Sequence, residues 1–151
     1  MSFFPKSSSM ATALLLTTSV AFADTQAGIA ALENNDVETA AKEFQASLDA
    51  GDGDGAFYLG RMFELGLGTE VNIQQAILLY KVSAEQESAL GMNRLGLMFL
   101  DGQTVIKDFQ RGSELVCKAA DKGEANAQFN CGAAYSEGKG LPKDTTKAPD
   151  Y

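Results

Sequence analysis

The chain has 151 residues, 45% hydrophobic and 21% charged, with a net charge of −8, no His and two Cys. That length is a prior for one domain, and the composition excludes a disordered chain. The acidic balance disfavours nucleic acid and anionic lipid as partners, because the chain repels a phosphate backbone. A basic or neutral protein surface fits better.

At the N-terminus, "MSFFPKSSSMATALLLTTSVAFA" places one Lys, an apolar run and Ala-Phe-Ala in order, which reads as a secretory leader cleaved before Asp24. Its apolar run is 14 residues, short of the ~20 that a spanning helix needs. Cleavage removes Lys6 and leaves 128 residues with a net charge of −9. Neither Cys lies beside the cleavage site, so lipid attachment has no acceptor there. The expectation is a periplasmic or secreted protein with no stable membrane insertion.

Residues 24–52 read as a short helix pair with "ENND" as its turn. Ala40, Phe44 and Ser47 fall at the spacing of a second helix packing on its neighbour. This pair starts the stack.

From residue 53 the sequence repeats with a period of 36. Gly60, Gly96 and Gly132 stand one period apart; three positions on come Phe63, Phe99 and Tyr135, and six on come Gly66, Gly102 and Gly138. Twelve on come Asn72, Asp108 and Asp144, while Gly55, Gly91 and Ala127 keep one earlier position small. The units are therefore 53–88, 89–124 and a partial 125–151.

Within one unit, "GAFYLGRMFELG" has helical periodicity, and Gly66 suits the left-handed position past a helix end. After the loop "LGTEV", Asn72 reads as an N-cap with Gln75 placed for a capping box, and Ile73, Ala76, Ile77, Tyr80 and Ala84 form the stripe of a second helix. A mid-helix glycine such as Gly60 costs ~1 kcal/mol against Ala, so a close helix approach is expected there and at Gly96 and Gly132. In the last unit Pro149 would interrupt the second helix soon after Asp144. That leaves either a frayed cap or a fragment of a longer array.

The pattern small-x-small-x-x-x-Leu-Gly-x-x-aromatic-x-x-Gly-x-Gly-x-x-x-Asp-x-x-x-Ala resembles the Sel-one-like repeat family, of a secreted bacterial type, and the first pair looks more like its tetratricopeptide relatives. Thr104 departs from it at the second loop Gly, Gly112 at Ala and Cys131 at Leu. The resemblance implies an all-α, right-handed α-solenoid of antiparallel helix pairs, each burying its apolar face on the next. It also implies a concave row of first helices. Tetratricopeptide groove positions carried over mark Asp54, Phe57, Arg61 and Glu64, then Leu90, Asn93, Leu97 and Leu100, then Asn126, Phe129, Ala133 and Ser136. Acids at one end and a Leu-rich middle would suit a peptide or protein with basic and apolar anchors. The opposing reading makes Phe57, Leu97 and Phe129 core, and Arg61 and Glu64 a solvated pair worth tenths of a kcal/mol.

Cys117 falls in the second helix of one unit and Cys131 in the first helix of the next, across the turn near "DKGEA". Cysteine-rich members of the family link this kind of helix pair at positions one rung nearer the turn. In an oxidising compartment Cys117 and Cys131 are a candidate disulfide. The alternative makes Cys131 a buried Leu substitute and Cys117, equivalent to Lys81, a surface thiol.

Little in the chain points to catalysis, a metal or a cofactor. Without His there is no Ser-His or Cys-His nucleophile and no imidazole metal site, and two cysteines do not make a four-ligand zinc site. The Gly-x-Gly pieces follow helices and not strands; Glu33 with Asp36 and Glu85 with Glu87 read as solvated faces; "DGDG" at 52–55 lacks the distal Glu of a calcium loop. The expected function is an interaction module that binds a peptide or protein in its groove. Two alternatives stand beside it: an inhibitor or immunity protein acting on a toxin or hydrolase, and the β-lactam binding or hydrolysis suggested for cysteine-rich relatives. The uncovered face of the last unit is an expected site of self-association.

Overall fold

The computed structural model describes residues 25–148, so the expected leader and the Pro149 stop lie outside the described residues. Within them the elements are α1 (Thr25–Glu33), α2 (Val37–Asp49), α3 (Gly53–Leu65), α4 (Ile73–Glu85), α5 (Ala89–Asp101), α6 (Phe109–Asp121) and α7 (Ala125–Glu137). Short turns make each helix antiparallel to the next, and each packs on its successor. The described chain is all-helical, a short solenoid in which α3, α5 and α7 begin successive units.

The helix ends form at the residues identified from the sequence. Gly66, Gly102 and Gly138 close α3, α5 and α7 with φ of 69°, 73° and 69°, a backbone region costly for any residue with a Cβ. The Asn72 side chain accepts from the Gln75 amide at 3.0 Å, and Asp108 from that of Arg111 at 3.0 Å. Only half of the expected capping box forms, because the amide of the cap residue goes elsewhere. Asn72 N–H donates to the Phe63 carbonyl at 2.8 Å, Asp108 to Phe99 at 3.0 Å and Asp144 to Tyr135 at 3.0 Å. The repeated aromatic thus carries the acceptor that folds the loop back onto its own helix.

Two of the mid-helix glycines, Gly60 and Gly96, are explained by contact. A Cβ on Gly60 would lie 2.6 Å from the Tyr80 ring, and one on Gly96 would lie 2.8 Å from the Gly112 carbonyl. The departure at Gly112 therefore pairs two glycines where α5 and α6 cross. Thr104, by contrast, sits where Gly68 and Gly140 take φ of 70° and 71°, and it does not adopt a positive φ. After Gly102, the loop of the second unit takes a path that needs no second glycine.

The core is divided along the stack. Phe44, Leu59, Met62 and Leu79 form the first segment, Ala76, Ile77, Tyr80, Leu95 and Met98 the second, and Met92, Val116, Ala120, Ala127 and Cys131 the third. Each segment joins neighbouring units, which is how a stack of pairs stabilises itself. No helix among the described residues is long and apolar enough to cross a membrane.

Candidate functional site

The first helices of units one and two, α3 and α5, touch directly, while no two second helices lie as close. The groove positions are expected on this α3–α5 side.

In unit one two of those positions, Asp54 and Glu64, are engaged with the start of the next helix pair. Glu64 accepts from the Arg61 guanidinium at 2.6 Å, from the Tyr80 hydroxyl at 2.5 Å and from Arg94 of α5. Its side chain is 12% exposed, so Arg61 and Glu64 are not a solvated pair: one carboxylate ties α3, α4 and α5 together. Burial pushes the Tyr80 hydroxyl up to about 12, against the lowering effect of Arg61. Burial and then the Arg61 charge lower the Arg94 pKa, while Asp101 raises it. Asp54 accepts from the Ser88 hydroxyl, the N-cap of α5, at 2.5 Å. Phe57 is half-buried against Tyr58 and Tyr80.

Unit two repeats the arrangement with other residues. Asn93 is buried and donates to Glu124, the N-cap of α7, at 2.9 Å. Leu97 and Leu100 are half-buried on the third core segment, and Leu90 is half-buried beside the turn of residues 86–88. In unit three the same positions meet no further helix among the described residues. Phe129 is 76% exposed, Asn126 is exposed, and Ala133 and Ser136 are half-buried. Of the expected groove set, Asp54, Glu64 and Asn93 engage the following unit, while Phe57 packs on its own unit.

Two clefts lie beside the first helices α3 and α5. One, of about 610 Å3, is lined by Ile73, Leu97 and Leu100 with Glu64, Arg94 and Asp101 as its charged wall. The other, of about 480 Å3, is lined by Val37, Leu59, Met62, Phe63 and Leu67. They are equivalent sites, for Val37 and Ile73, and likewise Met62 and Met98, are one 36-residue step apart and line both. Reading from the sequence missed Arg94 and Tyr80 as members of this site. Arg94 has a signal: it is the lone cation in the apolar "ALGMNRLGLMFL", and such a charge needs a partner.

Cys117 on α6 and Cys131 on α7 are joined, with Cα atoms 4.9 Å apart. Cys117 is 9% exposed, not the surface thiol of the alternative, because α6 turns that rung towards α7. The described residues hold no cluster of His, Cys, Asp and Glu suited to a metal ion.

The Sel1 repeat model matches residues 53–88, 89–124 and 125–148. Among solved structures, the chain is similar to a Sel1 repeat protein from Oxalobacter formigenes, with 30% identity and a TM-score of 0.67 over 72% of this chain and 82% of that one. It is also similar to c5321, a protective antigen present in uropathogenic Escherichia coli strains displaying an SLR fold, with 27% identity and a TM-score of 0.69 over 83% of this chain. The match spans 28% of c5321. No curated protein matches the chain.

Proposed function

Since the chain belongs to the Sel1 repeat family, whose members generally serve as non-catalytic scaffolds of protein–protein interaction, we propose that it is an exported interaction module. Its partner is a peptide or protein segment bound along the α3–α5 side, and no catalysis is involved. The observation that supports this most is the pair of equivalent clefts in successive units. An extended segment crossing the row can set one apolar side chain in each, so that affinity grows from a repeat already built for stacking.

The two clefts differ in polarity. The first is walled mainly by apolar side chains, with Glu38 and Thr69 among them, while the second offers Arg94, Glu64 and Asp101 beside Leu97 and Leu100. The segment therefore carries an apolar anchor for the first and an anchor with a polar neighbour for the second. Asp54 and Glu64 are held by Ser88, Arg61 and Arg94, so attraction for a basic partner comes from the chain's overall negative charge and acts mainly on encounter. Export is supported by the buried disulfide, which persists in oxidising compartments.

The test is capture of partners from periplasmic extract by the protein and by Gln103→Trp. Gln103 is exposed at the rim of the second cleft, so the substitution blocks the cleft without touching the core. A partner retained by the parent and lost by Gln103→Trp, at equal helicity, is expected. Equal capture by both would move the interaction off this surface.

A further inference from the structure

A third cleft, of about 600 Å3, lies between α4, α5 and the start of α6 and shares no lining residue with the other two. Its floor is apolar, with Phe99, Val105 and Leu115, and Ile106 stands at its rim 91% exposed. Lys81, Lys107 and Arg111 line it from α4, the α5–α6 loop and α6, all three exposed. None of them forms an ion pair among the described residues, whereas Lys42, Arg61, Arg94, Lys122 and Lys139 do. The Arg111 guanidinium lies over the Phe99 ring, 4.7 Å from its centroid, which steadies it without using its N–H donors. The fold does not require these charges. One unit back, the positions of Lys81, Lys107 and Arg111 hold Gln45, Val71 and Gln75, and that of Ile106 holds Glu70.

We propose that this cleft binds an acidic peptide segment in which carboxylates flank an apolar side chain. The carboxylates meet Lys81, Lys107 and Arg111, and the apolar side chain meets Val105 and Ile106. Two observations select this ligand. The first is where the chain's negative charge lies: residues 25–70 hold nine acids and two cations, whereas residues 71–148 hold nine of each. The cleft belongs wholly to the neutral part, so its unpaired cations attract an anion without an opposing net charge around them. The second is the composition of the wall. The cations stand apart on three segments, with Glu85 and Asp108 between them, and the Arg111 amide already donates to Asp108 at 3.0 Å. Those two carboxylates repel a compact dianion such as phosphate, while the dispersed cations suit single carboxylates spaced along a chain. The exposed Ile106 adds apolar area that such a chain can cover with a neighbouring side chain. This assignment is independent of the α3–α5 clefts and has the opposite charge preference.

The test is selection from a displayed random-peptide library on the purified protein, followed by fluorescence anisotropy with the recovered peptides. Those recovered should include peptides with Asp or Glu next to Leu, Ile, Val or Phe. Placing the unit-one residues in the cleft, as Lys81→Gln, Lys107→Val and Arg111→Gln together, should keep the helicity and weaken these peptides about tenfold, as expected from losing two or three exposed ion pairs. Ile106→Ser, at an exposed position, should weaken them severalfold with the charges intact. Gln103→Trp, on the second α3–α5 cleft, should bind them like the parent, which separates this proposal from the reading of those clefts. Recovery of no acidic-apolar peptide, equal binding by the triple variant, or displacement by inorganic phosphate at constant ionic strength would overturn it.

Discussion

Glu64→Gln should be among the most damaging conservative substitutions in the chain. The carboxylate takes donors from Arg61, Tyr80 and Arg94, and its side chain is 12% exposed while those of Arg61 and Arg94 are 37% and 33%. An exposed pair contributes at most about 1 kcal/mol, and breaking a fully buried one costs about 3–5. Partial solvation of both guanidiniums places this cluster between those limits. Gln keeps the shape but leaves two cations facing a neutral amide, so we expect a loss of about 2–3 kcal/mol, or roughly 10 °C in Tm for a domain of this size. Tyr80→Phe removes one donor and leaves the ions paired, and should cost about 1 kcal/mol. Urea and thermal unfolding followed by circular dichroism measure both. A Glu64→Gln cost below about 0.5 kcal/mol, that of a solvated pair on one helix, would refute the reasoning.

Thiol titration of denatured, unreduced protein should find no free thiol, and two free thiols would contradict the bonded pair. Reduction should cost about 3 kcal/mol and raise amide exchange in α7 well before α3; uniform exchange along the chain would show that the bond does not act on α7 in particular. Gly96→Ala should destabilise by about 1–3 kcal/mol despite better helix propensity, because its Cβ would lie 2.8 Å from the Gly112 carbonyl; thermal unfolding of a stabilised variant would disprove the close crossing. Burial works against the Asp52 charge, but the Asp54 amide and the Thr25 and Ser47 hydroxyls outweigh it, so its carboxyl titrates below the ordinary 3.8. A depressed folded pKa gives stability that is present above pH 3.8 and lost as the pH falls through the folded value. The stability difference between parent and Asp52→Asn, from urea unfolding, should therefore shrink below about pH 4; a difference constant with pH would exclude this role.

The stack is legible in the sequence because its determinants are local and recur. Gly66, Asn72 and Phe63 each do a job inside their own unit, so residue type and spacing suffice to find them. The groove set is harder, because Asp54, Glu64 and Asn93 look the same whether they face water or a neighbouring helix. Their partners Ser88, Arg94 and Glu124 lie about 30 residues on, and Ser88 and Glu124 have the residue types of ordinary turns. The disulfide stays ambiguous in sequence for a related reason: Cys117 corresponds to Lys81, which is exposed, and only the packing of α6 on α7 turns that rung inward. Phe129, by contrast, matches the half-buried Phe57 in register, yet is bare because no following helix covers it among the described residues.

The most direct test of the central claim is a hydrogen-exchange footprint of the captured partner on this protein. Binding along the row of clefts predicts protection of the α5 end and its loop, residues 94–104, together with the starts of α2 and α4 at Val37 and Ile73. Protection confined to the turns between units, or to the outer faces of α4 and α6, would contradict it.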